Sequence, residues 1–310
     1  MTVIVFPGQG SQMTGMGKDF YDSFQEVKDT FGLLSELTKI NLVDIIFNNP
    51  SNLLNETQYT QISIFTVSLS LYKILELENN KDLKINYMLG HSLGEYSALC
   101  AAGIISIEDC AYLLKNRGEL MQKAYEPNKS GMAAIIGIDC LKAEKIISDN
   151  KLNVQIANDN SPIQIVISGK KEDLLYSENF FKKSGALKFI LLNVSAAFHS
   201  NLMKKAEEKM LNFIKKIKFN SSNINIISNY SAESSNDISI LSQNLSKQMS
   251  NKVRWVESIK TLENLKEERI IEIGPSKVLS GLIKRINKKF KLINFNSIND
   301  IENIKNAIWF

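Results

Sequence analysis

The stretch Met88–Gly103, MLGHSLGEYSALCAAG, limits the possible folds most sharply. Gly90-His91-Ser92-Leu93-Gly94 is a G-x-S-x-G run. It is entered from an apolar strand end (Tyr87, Met88, Leu89) and left through a small-residue helix that Gly103 closes. Glycine at the first and last positions lets the chain reverse without Cβ clashes and lets the helix lie close on its strand. The turn lifts the Ser92 hydroxyl over a sheet end, and the Leu93 N–H faces a substrate carbonyl from a helix N-terminus. A five-residue match alone arises by chance. With a strand before it and a helix after it, the run reads as a nucleophile elbow rather than a purely structural turn.

The 310 residues suit one large α/β domain or a domain with an insertion. Cys100, Cys110 and Cys140 form no C-x-x-C and are odd in number, which fits a reducing cytosol and leaves no metal site. The opening MTVIVFPGQG is too short in its apolar run for a signal peptide, and no segment reaches transmembrane length. The expectation is a soluble, cytoplasmic protein without a membrane segment. The formal net charge of +4 is mild, with its uneven part at Lys284–Lys291 (KRINKKFK). That run is either a solvated face or a docking surface for an acidic partner. Nucleic acid is not expected, since no binding motif accompanies it.

In chain order, Val3–Phe6 is a β-prone run leading into Pro7-Gly8-Gln9-Gly10-Ser11-Gln12. This loop is a simple turn or one that offers backbone N–H groups to an anion. Phe20–Leu37 and Ser63–Leu77 carry helical periodicity, with a polar, loop-like Asn48–Thr60 between them. Gln61, where that loop enters the second helix, is an ordinary helix-start residue or faces the site. Ser106-Ile107-Glu108-Asp109 resembles a capping box that starts a helix with the stripe Cys110, Leu113, Leu114, Leu120 and Met121. Arg117 falls on that stripe. It either snorkels to water or offers a bidentate fork to a substrate carboxylate.

Strand, helix, strand, strand, helix, strand follow at Met132–Ile138, Leu141–Asn150, Val154–Asn158, Ile163–Ser168, Lys171–Ser184 and Leu187–Val194. This βαββαβ order is the ferredoxin-like arrangement, read as an inserted small domain. The chain has only two histidines, His91 and His199. His91 adjoins Ser92 but should point away from its hydroxyl, so His199 is the candidate base. Farther on, Lys204–Lys218 and Ile238–Met249 read as helices and Ile224–Ser228 as a strand. Arg269–Ile273 reads as a strand, followed by Gly274-Pro275 and a helix begun by the proline.

These motifs together resemble the malonyl-CoA:acyl carrier protein transacylase family, the acyltransferases of fatty-acid and polyketide synthesis. The resemblance spans nearly the whole chain, in family order: FPGQGSQ, GHSLGEYSAL, KNRGELMQ, MAAIIG, NDNSPIQIVISG, AFHS and EIGPSKVLSGL. It implies an α/β-hydrolase-like large domain (residues 1–126 and 196–310) and a ferredoxin-like small domain (127–195), with the site in the cleft between them. It further implies Ser92 as the nucleophile, His199 as acid and base, and the Gln9 and Leu93 N–H groups as the oxyanion hole. Arg117 would grip the malonyl carboxylate, and the Gln248 main-chain carbonyl would orient the histidine, so no triad carboxylate is required. Asn158 and Asn160 would belong to a loop facing the site, and Phe198 would favour malonyl over branched units. The implied reaction is ping-pong transfer from malonyl-CoA to the phosphopantetheine thiol of acyl carrier protein by a monomer. No metal and no cofactor of its own are expected. The rival readings are a polyketide-serving acyltransferase, a plain serine hydrolase and a non-catalytic carrier-protein-binding module.

Overall fold

The computed structural model describes residues 2–78 and 83–308, and the chain opens on β1 (Thr2–Phe6), an unbroken apolar run. Such a run suits a parallel strand covered on both faces. Val3 and Val5 join one core cluster with Leu89, Trp255 and Ile270, while Ile4 and Phe6 join another with Phe65, Met88 and Leu93. Truncating the fully buried Phe6 to alanine costs about 3–5 kcal/mol on this account. β2 (Ile85–Gly90) lies parallel beside β1. The chain then builds a second sheet from β3 (Ser130–Ile136), β4 (Val154–Ser161), β5 (Gln164–Lys170) and β6 (Lys188–Leu191). It returns to the first sheet with β7 (Asn225–Ile227), β8 (Ser234–Ser235), β9 (Arg269–Ile273) and β10 (Lys291–Phe295).

The large sheet has the order β10-β9-β1-β2-β7-β8 and is parallel except for β8. The small sheet is antiparallel in the order β4-β5-β3-β6, with helices Cys140–Asp149 and Lys171–Lys183 completing the expected βαββαβ pattern. Ile135, Ile165 and Ile167 pack there on Ala143, Leu174 and Phe181. The small sheet is tied at Val253 to the segment that leads into helix Trp255–Asn264. The Val253 N–H donates to Ala157 O at 2.8 Å and its carbonyl accepts from Asp159 N at 3.0 Å. Among the described residues no helix is long and apolar enough to cross a membrane.

The structure corrects several expectations. The helix expected over Phe20–Leu37 is two, Lys18–Ser23 and Gln25–Thr38, because Phe24 is extended between them. Asn48–Thr60 is not a loop. Helix Leu42–Asn48 ends at Asn49, Pro50–Asn55 forms a 3-10 turn that buries Leu54, and helix Thr57–Glu78 starts at once. Pro275 does not begin a helix: residues 274–277 turn, and helix Val278–Ile286 starts later. The buried Glu272 carboxylate caps that helix, accepting from Leu279 N at 2.9 Å and Ser280 N at 2.6 Å. Helices Trp255–Asn264 and Asp300–Ile308 and strand β10 were not anticipated.

Candidate active site

The elbow forms where β2 ends. Ser92 takes the left-handed φ of +53°, a conformation that costs a non-glycine residue free energy and needs outside support. A Cβ on Gly90 would meet the Gly94 carbonyl at 2.0 Å, and one on Gly94 would meet Phe6 O at 2.2 Å, so both positions require glycine. Support comes from Asn229, just beyond β7. Its Oδ1 accepts from Ser92 N at 2.7 Å and its Nδ2 donates to Gly90 O at 2.6 Å. His91 turns away from the hydroxyl, as expected, and its Nε2 meets Asn160 Oδ1 at 2.9 Å.

Ser92 Oγ lies 2.8 Å from His199 Nε2. On the other side of the ring, Nδ1 faces two main-chain carbonyls, Gln248 O at 3.0 Å and Asn251 O at 3.1 Å. Carbonyls only accept, so Nδ1 carries the hydrogen and Nε2 keeps a lone pair for the serine proton. Burial, and then the nearby Arg117 charge, hold the imidazole down to about 3, which keeps it neutral. The local fold makes the carbonyl available. Helix Ile238–Lys247 stops one residue before Gln248, two residues short of the expected end, so the Gln248 carbonyl is left for the histidine.

Arg117 is 1 % exposed, in the middle of helix Ile107–Gln122, so its inward reading holds and the snorkelling one does not. Gly118 permits this placement: a Cβ there would meet Gln58 Cα at 2.8 Å, so the helix can approach Thr57–Glu78 closely. The guanidinium donates through Nη1 to Gln61 Oε1 and through Nη2 to Gln248 Oε1 at 2.8 Å and Ser92 Oγ at 3.1 Å. It also lies 5.3 Å from the Tyr96 ring centre. Its Nε–H has no partner, and among the described residues no carboxylate reaches ion-pair distance. The Glu95 carboxyl acts on this cation only from a distance, so no carboxylate pairs with it directly, and a buried cation lacking a direct partner is costly.

Ser92, His199 and Arg117 open onto a cavity of about 220 Å³ between the two sheets. Gln9, Leu93, Phe198, Asn158 and Asn160 line it. No hydrogen bond among the described residues occupies the backbone N–H of Gln9 or Leu93. Of the candidate substrate-facing residues, Gln61 is placed differently, while Asn158 and Asn160 stand on the cavity wall. Gln61 does not line the cavity and instead holds Arg117 from behind. Asn160, and more distantly Asn158 at 3.5 Å, turn their side chains to His91. Two residues of the network were missed. Asn229 grips the elbow, and Glu95, 1 % exposed, accepts from Gln248 Nε2 at 2.6 Å. Glu95 stands inside the elbow motif, and its charge on a buried helix face was the available signal.

An α/β sheet carrying a serine elbow, a histidine within hydrogen-bond reach of that serine and a buried arginine at the same cavity is the architecture of an acyltransferase. The chain belongs to the acyl transferase domain family, whose model matches residues 3–304. It is 38% identical over 308 residues to the malonyl CoA-acyl carrier protein transacylase of Bacillus subtilis, covering 98% of this chain and 95% of that protein. The acyl-carrier-protein-S-malonyltransferase structure from Bartonella henselae aligns with a TM-score of 0.95 at 36% identity, over 100% of this chain and 99% of the other. A malonyl-transacylase solved in complex with a type II polyketide acyl carrier protein aligns at 0.94 and 31% identity, over 99% of each chain.

Proposed function

We propose that this protein transfers a malonyl group from malonyl-CoA to the phosphopantetheine thiol of an acyl carrier protein, feeding fatty-acid synthesis. The observation that carries the reading is Arg117, a buried guanidinium that lacks a carboxylate and already touches the Ser92 hydroxyl. A malonyl carboxylate supplies the missing charge and draws the thioester carbonyl toward Ser92.

His199 Nε2 takes the serine proton as Oγ attacks that carbonyl. The Gln9 and Leu93 N–H groups hold the resulting oxyanion, and the Nδ1 contacts to Gln248 and Asn251 stabilise the imidazolium without a carboxylate. Collapse breaks the C–S bond, and the imidazolium proton leaves on the coenzyme A thiol. In the second half the carrier thiol gives its proton to His199, attacks the ester carbonyl, and Ser92 leaves with the proton. The chemistry needs no cofactor from this chain, because the pantetheine arm arrives on the partner.

The carrier protein fits the basic run. Lys284, Arg285, Lys288, Lys289 and Lys291 are exposed, and the helix carrying the first two begins at Val278 and Leu279 on the cavity wall. Charge of this kind steers an acidic partner toward the cavity mouth. We take the enzyme to act in the cytoplasm as a monomer; a mass of 35.0 kDa in size-exclusion chromatography with light scattering, unchanged on dilution, is expected, and a multiple of it would overturn the monomer.

Intact-protein mass spectrometry after brief mixing with malonyl-CoA tests the reaction. One malonyl group on the Ser92 peptide, discharged onto a carrier thiol, is expected. No adduct, or one lost to water equally fast without carrier, overturns the reading. The similarity to the polyketide complex gives a second reading, service to a polyketide carrier. Transfer rates to the two kinds of carrier protein separate these readings.

A further inference from the structure

We infer that Glu95 is a positioning residue for this reaction, a buried carboxyl that orients the Gln248 amide and braces the elbow through Asn229. The inference rests on the malonyl-transfer reading above. Glu95 sits in the first turn of helix Gly94–Ala101, directly behind the elbow. A single oxygen, Oε2, accepts from Gln248 Nε2 at 2.6 Å and from Asn229 N at 3.2 Å.

Each contact leads to a reacting group. The Gln248 amide also donates to Ser92 O at 2.9 Å and accepts from Arg117 at 2.8 Å. An amide can be turned end for end, but here only one orientation works. Flipping it would set an NH2 against the guanidinium and an oxygen against both Ser92 O and the carboxyl. Glu95 therefore joins Ser92 O and Arg117 in fixing the amide orientation that holds Arg117 at the cavity. By accepting from Asn229 N it anchors the main chain of the residue whose side chain grips both Ser92 N and Gly90 O around the left-handed serine. One carboxyl thus supports both the clamp and the nucleophile from behind.

The same carboxyl is sensitive to what Arg117 binds. Burial pushes it up to about 7, against the hydrogen bonds and the Arg117 charge that pull it down. The titratable groups facing it are Arg117, from helix Ile107–Gln122, and its neighbour Tyr96. A malonyl carboxylate on Arg117 disfavours an ionised Glu95, so malonyl capture should weaken as pH rises through about 7.

The test is rapid-mixing mass spectrometry of Ser92 acylation from malonyl-CoA and acetyl-CoA on both sides of pH 7, for the intact enzyme, E95Q and E95A. The glutamine keeps one accepting oxygen for both donors but cannot ionise. E95A is expected to acylate about 100-fold more slowly, with its preference for malonyl over acetyl reduced, because Arg117 and the elbow both lose their alignment. E95Q is expected to restore most of the rate while losing the decline above pH 7. A folded E95A with unchanged rate and malonyl preference overturns the inference. If E95A does not fold, E95Q decides alone, and a pH profile identical to that of the intact enzyme overturns it. Failure of the intact enzyme to form a malonyl ester would instead remove the functional reading beneath it.

Discussion

The two sheets divide the work unequally. Most groups that touch the Ser92 hydroxyl or its partners belong with the large parallel sheet and the helices around it: Ser92 after β2, Asn229 after β7, and Arg117 and Gln248 on or beside helices Ile107–Gln122 and Ile238–Lys247, while His199 stands in the segment that returns from β6. The small antiparallel sheet contributes Met132, Ala134, Gln164 and Val166 as walls of the same cavity. Carboxyl ends of parallel strands open onto loops and helix N-termini, where N–H groups and side chains can converge on one point. An antiparallel sheet has no such end and presents a shaped face. On this division, substitutions beside the large sheet act on rate, and those on the small sheet act on fit and stability.

The largest effect expected is from Ser92→Ala, which should leave no malonyl ester in the mass-spectrometric assay. A persisting adduct would place the nucleophile elsewhere. His199→Ala should slow both half-reactions by about 10²–10⁴-fold. A defect confined to one half would contradict a single base serving both thiols. Arg117→Ala should cost malonyl transfer about 2–5 kcal/mol if the pair it makes with substrate is desolvated, while easing entry of uncharged acyl groups. Unchanged malonyl selectivity, measured as the kcat/KM ratio against acetyl-CoA, would refute the carboxylate clamp.

The pH dependence sharpens the same comparison. The base form of His199 is the neutral ring, and its proton affinity is held down to about 3, so acidification through the ordinary histidine range should not remove the base. Arg117 is the second cause of that depression, after burial. In Arg117→Ala the histidine should titrate at higher pH, and an acid limb in the acetyl-CoA rate should move upward with it. An unmoved limb would show that burial alone sets the base.

How much of this was legible in the sequence depended on how far each cause reaches along the chain. The elbow was readable because Gly90 and Gly94 are demanded by contacts a few residues away and by β1. Arg117 was readable from its helical stripe, and His199 from the scarcity of histidine. The Gln248 carbonyl entered only through resemblance, since its use depends on where a helix stops and on a partner 49 residues away. Asn229 and Glu95 were not read at all. Asn229 meets the elbow from 137 residues farther on, and Glu95 meets Gln248 across 153 residues, with no local pattern marking either pairing. Gln61 stayed open between a helix-start residue and a site-facing one; it stands behind Arg117, because the close packing of two helices decides what it faces.

Asn160→Ala is the finest cut between the two sheets. Asn160, in β4, is the small sheet's direct hydrogen-bonding partner for the residue next to the nucleophile. The substitution leaves a half-buried imidazole N–H without its acceptor, a loss of about 1 kcal/mol in stability. Yet His91 turns away from the hydroxyl, and the elbow is held by Asn229 and by the two glycines, all independent of the small sheet. Chemical denaturation should therefore show the loss, while malonyl-ester formation stays within about tenfold, one order of magnitude being about 1.4 kcal/mol of barrier. A collapse in acylation with stability intact would mean that the small sheet reaches the reacting serine through His91, and the division of labour between the sheets would fail at this bond.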